Sequence, residues 1–369
     1  MIKTRSRVES LSPYVLGKSI DEVKQELNLS EIRKMSENEN VYGCSPFVKE
    51  KLPAYFGEMH YYPDGMARDL AIKVSEQLGV HVENLVFGNG SDEVIRLLTR
   101  AYISAGDEAV MADVTFPRYK TNVFLEEGVS ITVPLKEGTH DLTRMLASIT
   151  NKTKMIFVCN PNNPTGTVVG KKELLTFIKA VPNHVLVIID EAYFEYVTTE
   201  DYLETIPLVQ DFSNLVILRT FSKIYGLASL RIGYGVMDKK VVRELQKVKD
   251  VFNVNQLAQF AAVEALKDQD FIESCSRKNE EGRLFLEKEL KKLHVDFFPS
   301  QSNFMMVKFA QRGDGISDEL LKRGIIVRAG TLLGYDDTIR VTIGSIEDNE
   351  AFIKVLSEIL MDEDAGESL

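Results

Sequence analysis

Short apolar, β-branched runs alternate with amphipathic stretches between roughly residues 65 and 240. This alternation predicts βαβ units and a largely parallel sheet. Several runs are apolar throughout, as expected of strands that are covered by helices on both faces. The predicted strands are Leu85–Phe87, Glu108–Met111, Ser130–Val133, Met155–Cys159, Val185–Ile189, Leu215–Leu218 and Ile232–Val236.

Two of the helical stretches between these strands carry end signals. A helix predicted over Ala67–Leu78 is closed by Gly79, a residue that suits the left-handed end of a helix. A second helix, predicted over Asp92–Ala105, opens at Ser91, which we expect to be its N-cap.

After residue 238 the pattern changes and predicts a second, smaller α+β domain. Two long helical stretches are followed by the order strand, helix, strand, helix. These stretches are Lys239–Lys267 (broken near Phe252–Asn255), Ile272–Leu293, Phe297–Phe309, Ile316–Arg323, Ile339–Ile343 and Ile346–Leu360.

We therefore expect an α/β protein with a mostly parallel seven-stranded sheet in its large domain. The predicted divisions are an N-terminal arm over residues 1–40, a large domain over 41–250, a small domain over 251–361 and a solvated, frayed acidic tail over 362–369. The arm is expected to contribute to the small domain and to a dimer.

Composition narrows the class of protein. The 369-residue chain is 44% hydrophobic and 27% charged, which excludes disorder, and its net charge of −11 argues against a nucleic-acid partner. No apolar run approaches the ~18–20 residues of a membrane span. Three widely spaced cysteines predict buried thiols in a reducing compartment, and five scattered histidines argue against a metal site. We expect a cytoplasmic protein.

The sequence GNGSDE (Gly88–Glu93) lies between a predicted strand and a predicted helix. Backbone N–H groups at the helix start, together with the Ser91 hydroxyl, would suit a phosphate. The run matches neither GxGxxG nor a P-loop, because Glu93 stands at the third glycine position and no GK[ST] follows. Taken alone, a capped turn and a phosphate site fit it equally well.

Polar residues follow two of the central predicted strands. NPNNPTG (Asn160–Gly166) forms a rigid turn that leaves asparagine side chains free to face a ligand, although a plain loop fits it as well. Asp190 ends the next strand, where a buried carboxylate is costly unless a cation meets it. A helix N-cap is the competing interpretation of Asp190.

Lys223 stands among apolar and small residues immediately after a predicted strand. A desolvated lysine there would have a depressed pKa and could attack a carbonyl carbon, whereas a surface lysine is the competing interpretation. Arg231, which we expect to open the next strand, suits a phosphate. A reactive lysine, a strand-end carboxylate and a phosphate cradle are together what pyridoxal 5′-phosphate requires.

Motifs along nearly the whole chain carry a family resemblance. The chain resembles the fold-type I aminotransferases, and in particular their histidinol-phosphate aminotransferase branch. The matching segments are Leu11–Tyr14, Ser36–Pro46, Tyr62–Gly65, Gly88–Glu93, Asn160–Gly166, Asp190–Tyr196, Thr220–Gly235, Arg323–Arg328 and Ile339–Ser345.

The resemblance implies roles around the cofactor ring. Lys223 would hold pyridoxal phosphate covalently and move the substrate Cα proton. Asp190 would pair with the ring nitrogen, and Tyr193 and Asn163 would bond the ring hydroxyl oxygen. Phe116 would stack on the ring, with Tyr119 as the alternative.

The resemblance also implies two anion sites and a homodimer. Tyr62 would reach the cofactor phosphate from a neighbouring subunit, so the active sites would lie at a subunit interface. The predicted phosphate ligands are Ser91, Asp92, Ser222, Arg231 and Tyr62. The predicted ligands of the substrate are Asn163, Arg328, Arg340 and Tyr14 from the arm, with surface salt bridging as the alternative for Arg328.

The implied reaction interconverts imidazole-acetol phosphate and glutamate with histidinol phosphate and 2-oxoglutarate, a step of histidine biosynthesis. The alternatives are an aminotransferase for aromatic or many amino acids, a phosphate-amine decarboxylase with the same cofactor, and a non-catalytic cofactor-binding regulator. About 40 residues before the core motifs leave no room for a DNA-binding module. The missing GxGxxG argues against a nicotinamide-dependent oxidoreductase.

Overall fold

A computed structural model of the protein describes residues 2–13, 15–310 and 312–366. The strands are β1 (Arg33–Lys34), β2 (Leu85–Gly88), β3 (Glu108–Ala112), β4 (Val129–Val133), β5 (Thr153–Cys159), β6 (Leu186–Asp190), β7 (Leu215–Thr220), β8 (Gly233–Met237), β9 (Asp296–Phe297), β10 (Phe304–Lys308), β11 (Ile325–Ile326), β12 (Arg328–Ala329) and β13 (Thr338–Thr342). The α-helices are α1 (Ser6–Glu9), α2 (Ile20–Leu27), α3 (Pro46–Lys51), α4 (Arg68–Leu78), α5 (Ser91–Tyr102), α6 (Arg118–Leu125), α7 (Leu142–Ala147), α8 (Lys171–Ala180), α9 (Lys239–Val248), α10 (Gln256–Leu266), α11 (Gln269–Lys292), α12 (Gly313–Lys322) and α13 (Ile346–Gly366).

The central element is a seven-stranded sheet in the order β2-β8-β7-β6-β5-β3-β4. Neighbouring strands from β7 to β4 are parallel, whereas β8 runs antiparallel to both β2 and β7. The sheet is therefore mostly parallel, as predicted, and each of the seven predicted strands is confirmed with small shifts at its ends. Because β5, β6 and β7 are parallel, their carboxyl ends meet at one edge of the sheet.

Helices cover both faces of this sheet. Ile156 and Val158 of β5 belong to one apolar core, whereas Met155, Phe157 and Cys159 belong to another on the opposite face. Alternate residues of one strand thus pack into different layers, because successive side chains of a strand point to opposite faces. This double burial explains why the strands are apolar throughout.

Two predicted helix ends have different outcomes. Gly79 ends α4 in the left-handed conformation with φ +67°, as predicted. The prediction that Ser91 caps α5 is wrong, because Ser91 is the first helical residue and Gly90, with φ +73°, occupies the cap position. A glycine tolerates this backbone geometry, and it leaves the Ser91 N–H at the open end of the helix.

A smaller antiparallel sheet, in the order β12-β13-β10-β9, lies within a third apolar core that α11, α12 and α13 cover. The helical break predicted near residues 252–255 separates α9 from α10. Helix α10 packs in the core of the large sheet, and α11 contributes to both cores, through Cys275 and Leu286 respectively. These contacts place the change of core within α11, and the domain boundary at residue 250 stays a prediction.

The N-terminal arm contacts both parts of the molecule. Strand β1 pairs in parallel with β11, and Met35 is buried in the core of the small sheet. The guanidinium groups of Arg5 and Arg7 donate to carbonyl oxygens at the end of α6, where a cation is favourable. At the other end of the chain, α13 continues to Gly366, so the predicted frayed tail is helical over residues 362–366. No helix in the described ranges is long and apolar enough to cross a membrane.

A buried ion pair joins β6 to β7 beside the carboxyl edge of the large sheet. Arg219 donates through Nε and Nη2 to Glu191 Oε2, at 3.0 and 2.8 Å. The Thr205 hydroxyl donates to the other carboxylate oxygen, and the ring of Phe194 lies 3.7 Å from the guanidinium carbon. Both charged side chains are thus paired and covered, which is the condition for burying them at a tolerable cost.

Replacing Arg219→Met should lower the free energy of unfolding by about 3–5 kcal/mol, because it leaves the Glu191 carboxylate buried without its cation. Thermal and urea unfolding measure the loss. The matched control is Arg277→Met, which removes an exposed arginine 4.0 Å from Glu281 and should change stability by less than about 0.5 kcal/mol. Equal stability of the two variants would contradict the prediction.

Candidate active site

A cavity of about 170 Å³ lies at the carboxyl edge of the large sheet, where β5, β6 and β7 end. Phe116, from the loop that leads into α6, also lines it. Most of the residues that the sequence predicted for one site line this single cavity. They are Ser91, Asp92, Phe116, Asn163, Asp190, Tyr193, Ser222, Lys223, Arg231 and Arg340. Sequence positions up to 249 apart thus meet here, although their individual roles stay predictions.

Lys223 follows β7 and is partly buried, with its amine 5.6 Å from the centre of the Tyr193 ring. Nζ donates to the backbone oxygen of Glu37 at 3.3 Å. Burial lowers the pKa of this amine to about 8, and the positive charge of Arg340 acts in the same direction. A useful fraction of Lys223 is therefore neutral and nucleophilic near neutral pH.

Asp190 is the last residue of β6 and is buried. Its Oδ2 accepts the Tyr119 hydroxyl at 2.6 Å, and its Oδ1 accepts the Ala192 N–H at 3.2 Å. Burial raises the pKa of this carboxyl to about 6, against the lowering effect of the Tyr119 hydrogen bond. A protonated ring nitrogen would bring the positive charge that favours the ionised carboxylate.

The helix N-cap interpretation of Asp190 is wrong, because it ends a strand and the helix after it begins only at Phe194. The alternative of Tyr119 as the stacking residue is wrong as well. Its ring is buried and stacked on Phe157, with centroids 4.6 Å apart, and its hydroxyl holds Asp190 instead. Phe116, which does line the cavity, remains the predicted stacking residue.

Hydrogen-bond donors converge at one end of the cavity. The start of α5 lies beside the Arg231 guanidinium, which donates to the Ser222 hydroxyl at 3.3 Å. Space here is tight: a Cβ on Gly90 would lie 2.8 Å from Arg231 Nη2, and one on Gly233 would lie 2.3 Å from the Ser91 nitrogen. The two glycines thus let the backbone, the hydroxyl and the guanidinium approach one another and form an oxyanion cradle.

The prediction that Arg231 opens β8 is wrong. It ends a short helix in the left-handed conformation with φ +56°, and β8 begins two residues later, at Gly233. Its Nη1 also donates to the Ala228 oxygen at 2.9 Å. This turn directs the guanidinium back toward α5.

Pyridoxal phosphate, which the family resemblance implies, fits this set of donors. The oxyanion cradle suits its phosphate, Asp190 suits its ring nitrogen and Lys223 suits its aldehyde. Two observations support this fit. The backbone approaches closely at Gly90 and Gly233, and the buried Asp190 carboxylate has no cation beside it among the described residues.

Tyr193, Asn163 and Arg340 form a hydrogen-bonded chain. Asn163 accepts from Arg340 Nη1 at 2.8 Å and donates toward the Tyr193 hydroxyl at 3.4 Å. Asn38, to which the sequence assigned no role, donates to the same hydroxyl at 3.1 Å. The signal for Asn38 lay in the SENEN segment, but nothing there connected it to a tyrosine 155 positions away.

Arg328 and Arg340 are paired across neighbouring strands β12 and β13. The two residues are only 4% and 6% exposed, so the surface salt-bridge alternative for Arg328 is wrong. Arg340 lies at the centre of β13. Arg328 Nη2 donates to the Val15 oxygen at 2.6 Å, and its Nη1 lies 4.0 Å from Glu37 Oε1. Tyr14 lies outside the described residues.

A larger cavity of about 840 Å³ adjoins the first and shares Phe116, Asn163 and Arg340 with it. Its size is in the range of small-molecule sites. Arg7 and Lys120 also line it. This adjoining space can admit a substrate larger than the cofactor cavity itself would hold.

Tyr62 does not line the cavity of its own chain. The residue is 82% exposed, and its ring stacks on Phe252 with centroids 4.8 Å apart. Apolar side chains are exposed around it in the sequence: Phe56, Met59, Tyr61 and Met66. Its role in a second subunit's site stays a prediction.

Replacing Lys223→Met should stabilise the cofactor-free protein at pH 7, because the native fold holds this amine in a site that disfavours its charge. The expected gain is about 1–2 kcal/mol, less than the full shift would give, since the amine is still partly exposed. The native pKa lies below that of the unfolded chain, so the wild type gains stability as pH rises from about 8 to 10.5.

The difference between variant and wild type should therefore shrink over that pH interval. Thermal unfolding of the cofactor-free proteins at several pH values measures it. The control is Lys240→Met, which removes an exposed lysine. A Lys223→Met protein less stable than the wild type at pH 7 would contradict this assignment of the charge.

Comparisons with known proteins agree with this geometry. Residues 30–356 match the family model described as aminotransferase class I and II. Relatives called histidinol-phosphate aminotransferase, from Geobacillus sp. (strain WCH70) and Bacillus licheniformis, are each 45% identical; the first alignment covers 97% of this chain and 98% of the relative, and the second covers 98% and 100%.

Solved structures agree as well. A histidinol-phosphate aminotransferase from Sinorhizobium meliloti, in complex with pyridoxal-5′-phosphate, has a TM-score of 0.89 at 25% identity, with 98% of each chain covered. An aspartate aminotransferase from Thermus thermophilus shares the fold, with a TM-score of 0.85 at 22% identity over 97% of this chain and 100% of that one. The chain belongs to the aminotransferase class I and II family.

Proposed function

We propose that this aminotransferase uses pyridoxal phosphate to interconvert histidinol phosphate and 2-oxoglutarate with imidazole-acetol phosphate and glutamate, in histidine biosynthesis. The observation that carries the proposal is the pair of buried arginines, Arg328 and Arg340, beside the cavity that holds Lys223. The names of the relatives, at 45% identity over nearly the whole chain, support the same substrate.

When bound, pyridoxal phosphate supplies a carrier for the amino group and an electron-withdrawing ring. The oxyanion cradle of Ser91, Ser222 and Arg231 would hold its phosphate, and the backbone N–H of Asp92 would add a donor. Asp190 would keep the ring nitrogen protonated, because the ionised carboxylate needs a cation in this buried place. Phe116 would cover the ring.

Lys223 would then move the proton of the substrate Cα. Its amine lies at the end of β7, and burial already lowers its pKa to about 8, which suits a base that works near neutral pH. Tyr193, which Asn38 and Asn163 orient, would donate to the ring hydroxyl oxygen from just beyond the end of the neighbouring strand β6.

The arginine pair would bind the acidic group of each substrate in turn. A guanidinium fork donates hydrogen bonds either to the phosphate of histidinol phosphate or to a carboxylate of glutamate. Because one pair serves both, the two half-reactions would follow each other in the same pocket. The family resemblance alone supports Tyr14 as a further substrate ligand.

A homodimer would complete the site. Tyr62 does not line the cavity of its own chain and stands among other exposed apolar side chains, which a second copy of the chain would cover. From there Tyr62 would reach the phosphate of the partner's cofactor. We also propose a cytoplasmic location, which the three free thiols, Cys44, Cys159 and Cys275, support.

With 2-oxoglutarate as acceptor, kcat/KM should be at least about tenfold higher for histidinol phosphate than for phenylalanine or tyrosine, because a phosphate offers the arginine pair more negative charge and one more acceptor oxygen than the carboxylate of those donors. Arg328→Gln should remove most of this preference, whereas the control Arg323→Gln, at a surface arginine paired with Glu319, should keep it. Steady-state kinetics with the three donors measure this. Faster turnover of the aromatic donors would refute the substrate and leave the transaminase intact.

Lys223→Ala should abolish turnover, and the purified wild type should have a visible chromophore that borohydride bleaches. A colourless and fully active wild type would refute the cofactor.

Mixing the inactive Lys223→Ala chain with a Tyr62→Ala chain should restore activity. In a mixed dimer, one site would combine an intact Lys223 with an intact Tyr62 from the neighbouring chain. Up to about one quarter of the wild-type activity should return after random reassociation, since about half of the dimers are mixed and each has one complete site. Activity is followed after joint unfolding and refolding. No recovery above the two separate variants would place Tyr62 in its own chain's site or outside the reaction.

A further inference from the structure

A buried carboxylate lies under the turn that forms the oxyanion cradle. Glu93 is the third residue of α5 and is only 3% exposed. Its Oε2 accepts the backbone N–H of Asn89 at 2.6 Å, the Asn89 side-chain amide at 3.0 Å and the Asn253 amide at 2.9 Å. Its Oε1 accepts from Arg96 at 3.0 Å.

These bonds fix the turn from both sides. Asn89 precedes Gly90, so the bond to its backbone N–H sets the direction in which the chain enters α5. Gly88 packs so closely that a Cβ there would lie 3.0 Å from the Glu93 Cβ. The turn therefore packs directly against the Glu93 side chain. Gly90 and Ser91, which follow Asn89, line the cavity.

The same carboxylate holds the segment between α9 and α10. The backbone oxygen of Asn253 accepts a hydrogen bond from the Asn89 side-chain amide at 2.7 Å. The Asn253 side-chain amide also donates to the backbone oxygen of Phe87 at 3.1 Å. Lys249 donates to the Gly65 oxygen at 2.6 Å and to Asn253 Oδ1 at 3.3 Å. The network thus continues from the turn to the chain just after Tyr62.

We propose that Glu93 is a positioning residue for the cofactor phosphate, which fixes the turn at residues 88–91 so that the first N–H groups of α5 point at the phosphate oxygens. The proposal rests on the function proposed above. Glu93 does not touch the phosphate; it acts through Asn89.

An acidic side chain is an unexpected choice so close to an anion site, because its charge opposes the phosphate. Its advantage is the number of hydrogen bonds it accepts. A carboxylate has about four lone-pair sites, and three donors meet at one of its oxygens here. Arg96 and Lys249 lie around the carboxylate and offset its charge. A glutamine would keep one acceptor oxygen for the turn and would turn its amide toward the Arg96 donor.

The test compares binding of pyridoxal phosphate and pyridoxal to full-length protein that has been stripped of cofactor. Glu93→Ala should raise the Kd for pyridoxal phosphate by about tenfold or more, the effect of losing a hydrogen bond to a charged group. The Kd for pyridoxal, which has no phosphate, should change by less than about twofold. Absorbance titration measures both, and a general loss of structure would weaken both equally.

Arg96→Ala is the matched control, because it removes the ion pair and leaves both oxygens free for the turn; its two Kd values should stay within about threefold of the wild type. Glu93→Gln, which keeps the size of the side chain, should lower the preference for pyridoxal phosphate in the same direction by a smaller factor, and it serves where Glu93→Ala does not fold. An unchanged ratio of the two Kd values in both Glu93 variants would overturn the proposal. A wild type that takes up no pyridoxal phosphate would instead refute the proposed function.

Discussion

Removal of water from charged groups at the carboxyl edge of the large sheet is the constraint on which the site depends. Asp190 and Lys223 end or follow neighbouring strands, and burial moves the pKa of the first up to about 6 and that of the second down to about 8. Both groups are thereby held closer to neutrality than water would allow. A cofactor with a cationic ring nitrogen and an aldehyde would relieve both desolvation penalties, because the cation would pair with Asp190 and the aldehyde would react with the neutral amine of Lys223. The free energy that burial costs these two groups without the cofactor therefore favours binding of the cofactor.

The seven central strands were predictable because strands covered on both faces leave continuous apolar runs in the sequence. The antiparallel direction of β8 was not, since a run of Gly233–Met237 is apolar in either orientation and only the connections decide. The prediction that Ser91 caps α5 was wrong for a local reason. Serine is a common N-cap, but Gly90 reaches a positive φ that lets the helix begin one residue earlier.

The candidate site divides in the same way. Lys223 and Asp190 were visible because a polar residue at the end of an apolar strand stands out against its surroundings. Asn38 was not recognisable as a contributor, because its partner Tyr193 lies 155 positions away along the chain. Glu93 was not recognisable because it reads as an ordinary residue in the first turn of a helix, and its partner Asn253 lies 160 positions away. Tyr119 was misplaced since an aromatic residue three positions after Phe116 offers a ring by its sequence, whereas the fold uses its hydroxyl.

The bond from Arg340 to Asn163 crosses between the two sheets, since one residue stands on β13 and the other follows β5. The guanidinium that we propose as a substrate ligand thus also bonds the asparagine beside Tyr193. A substrate oxyanion that bound to Nη1 of Arg340 would compete with Asn163 for the same donor. Binding of a substrate at Arg340 would in this way change the hydrogen bonding of Asn163 and Tyr193 to the ring hydroxyl of the cofactor. The Asn163 side-chain amide thus links substrate binding to the electronic state of the cofactor.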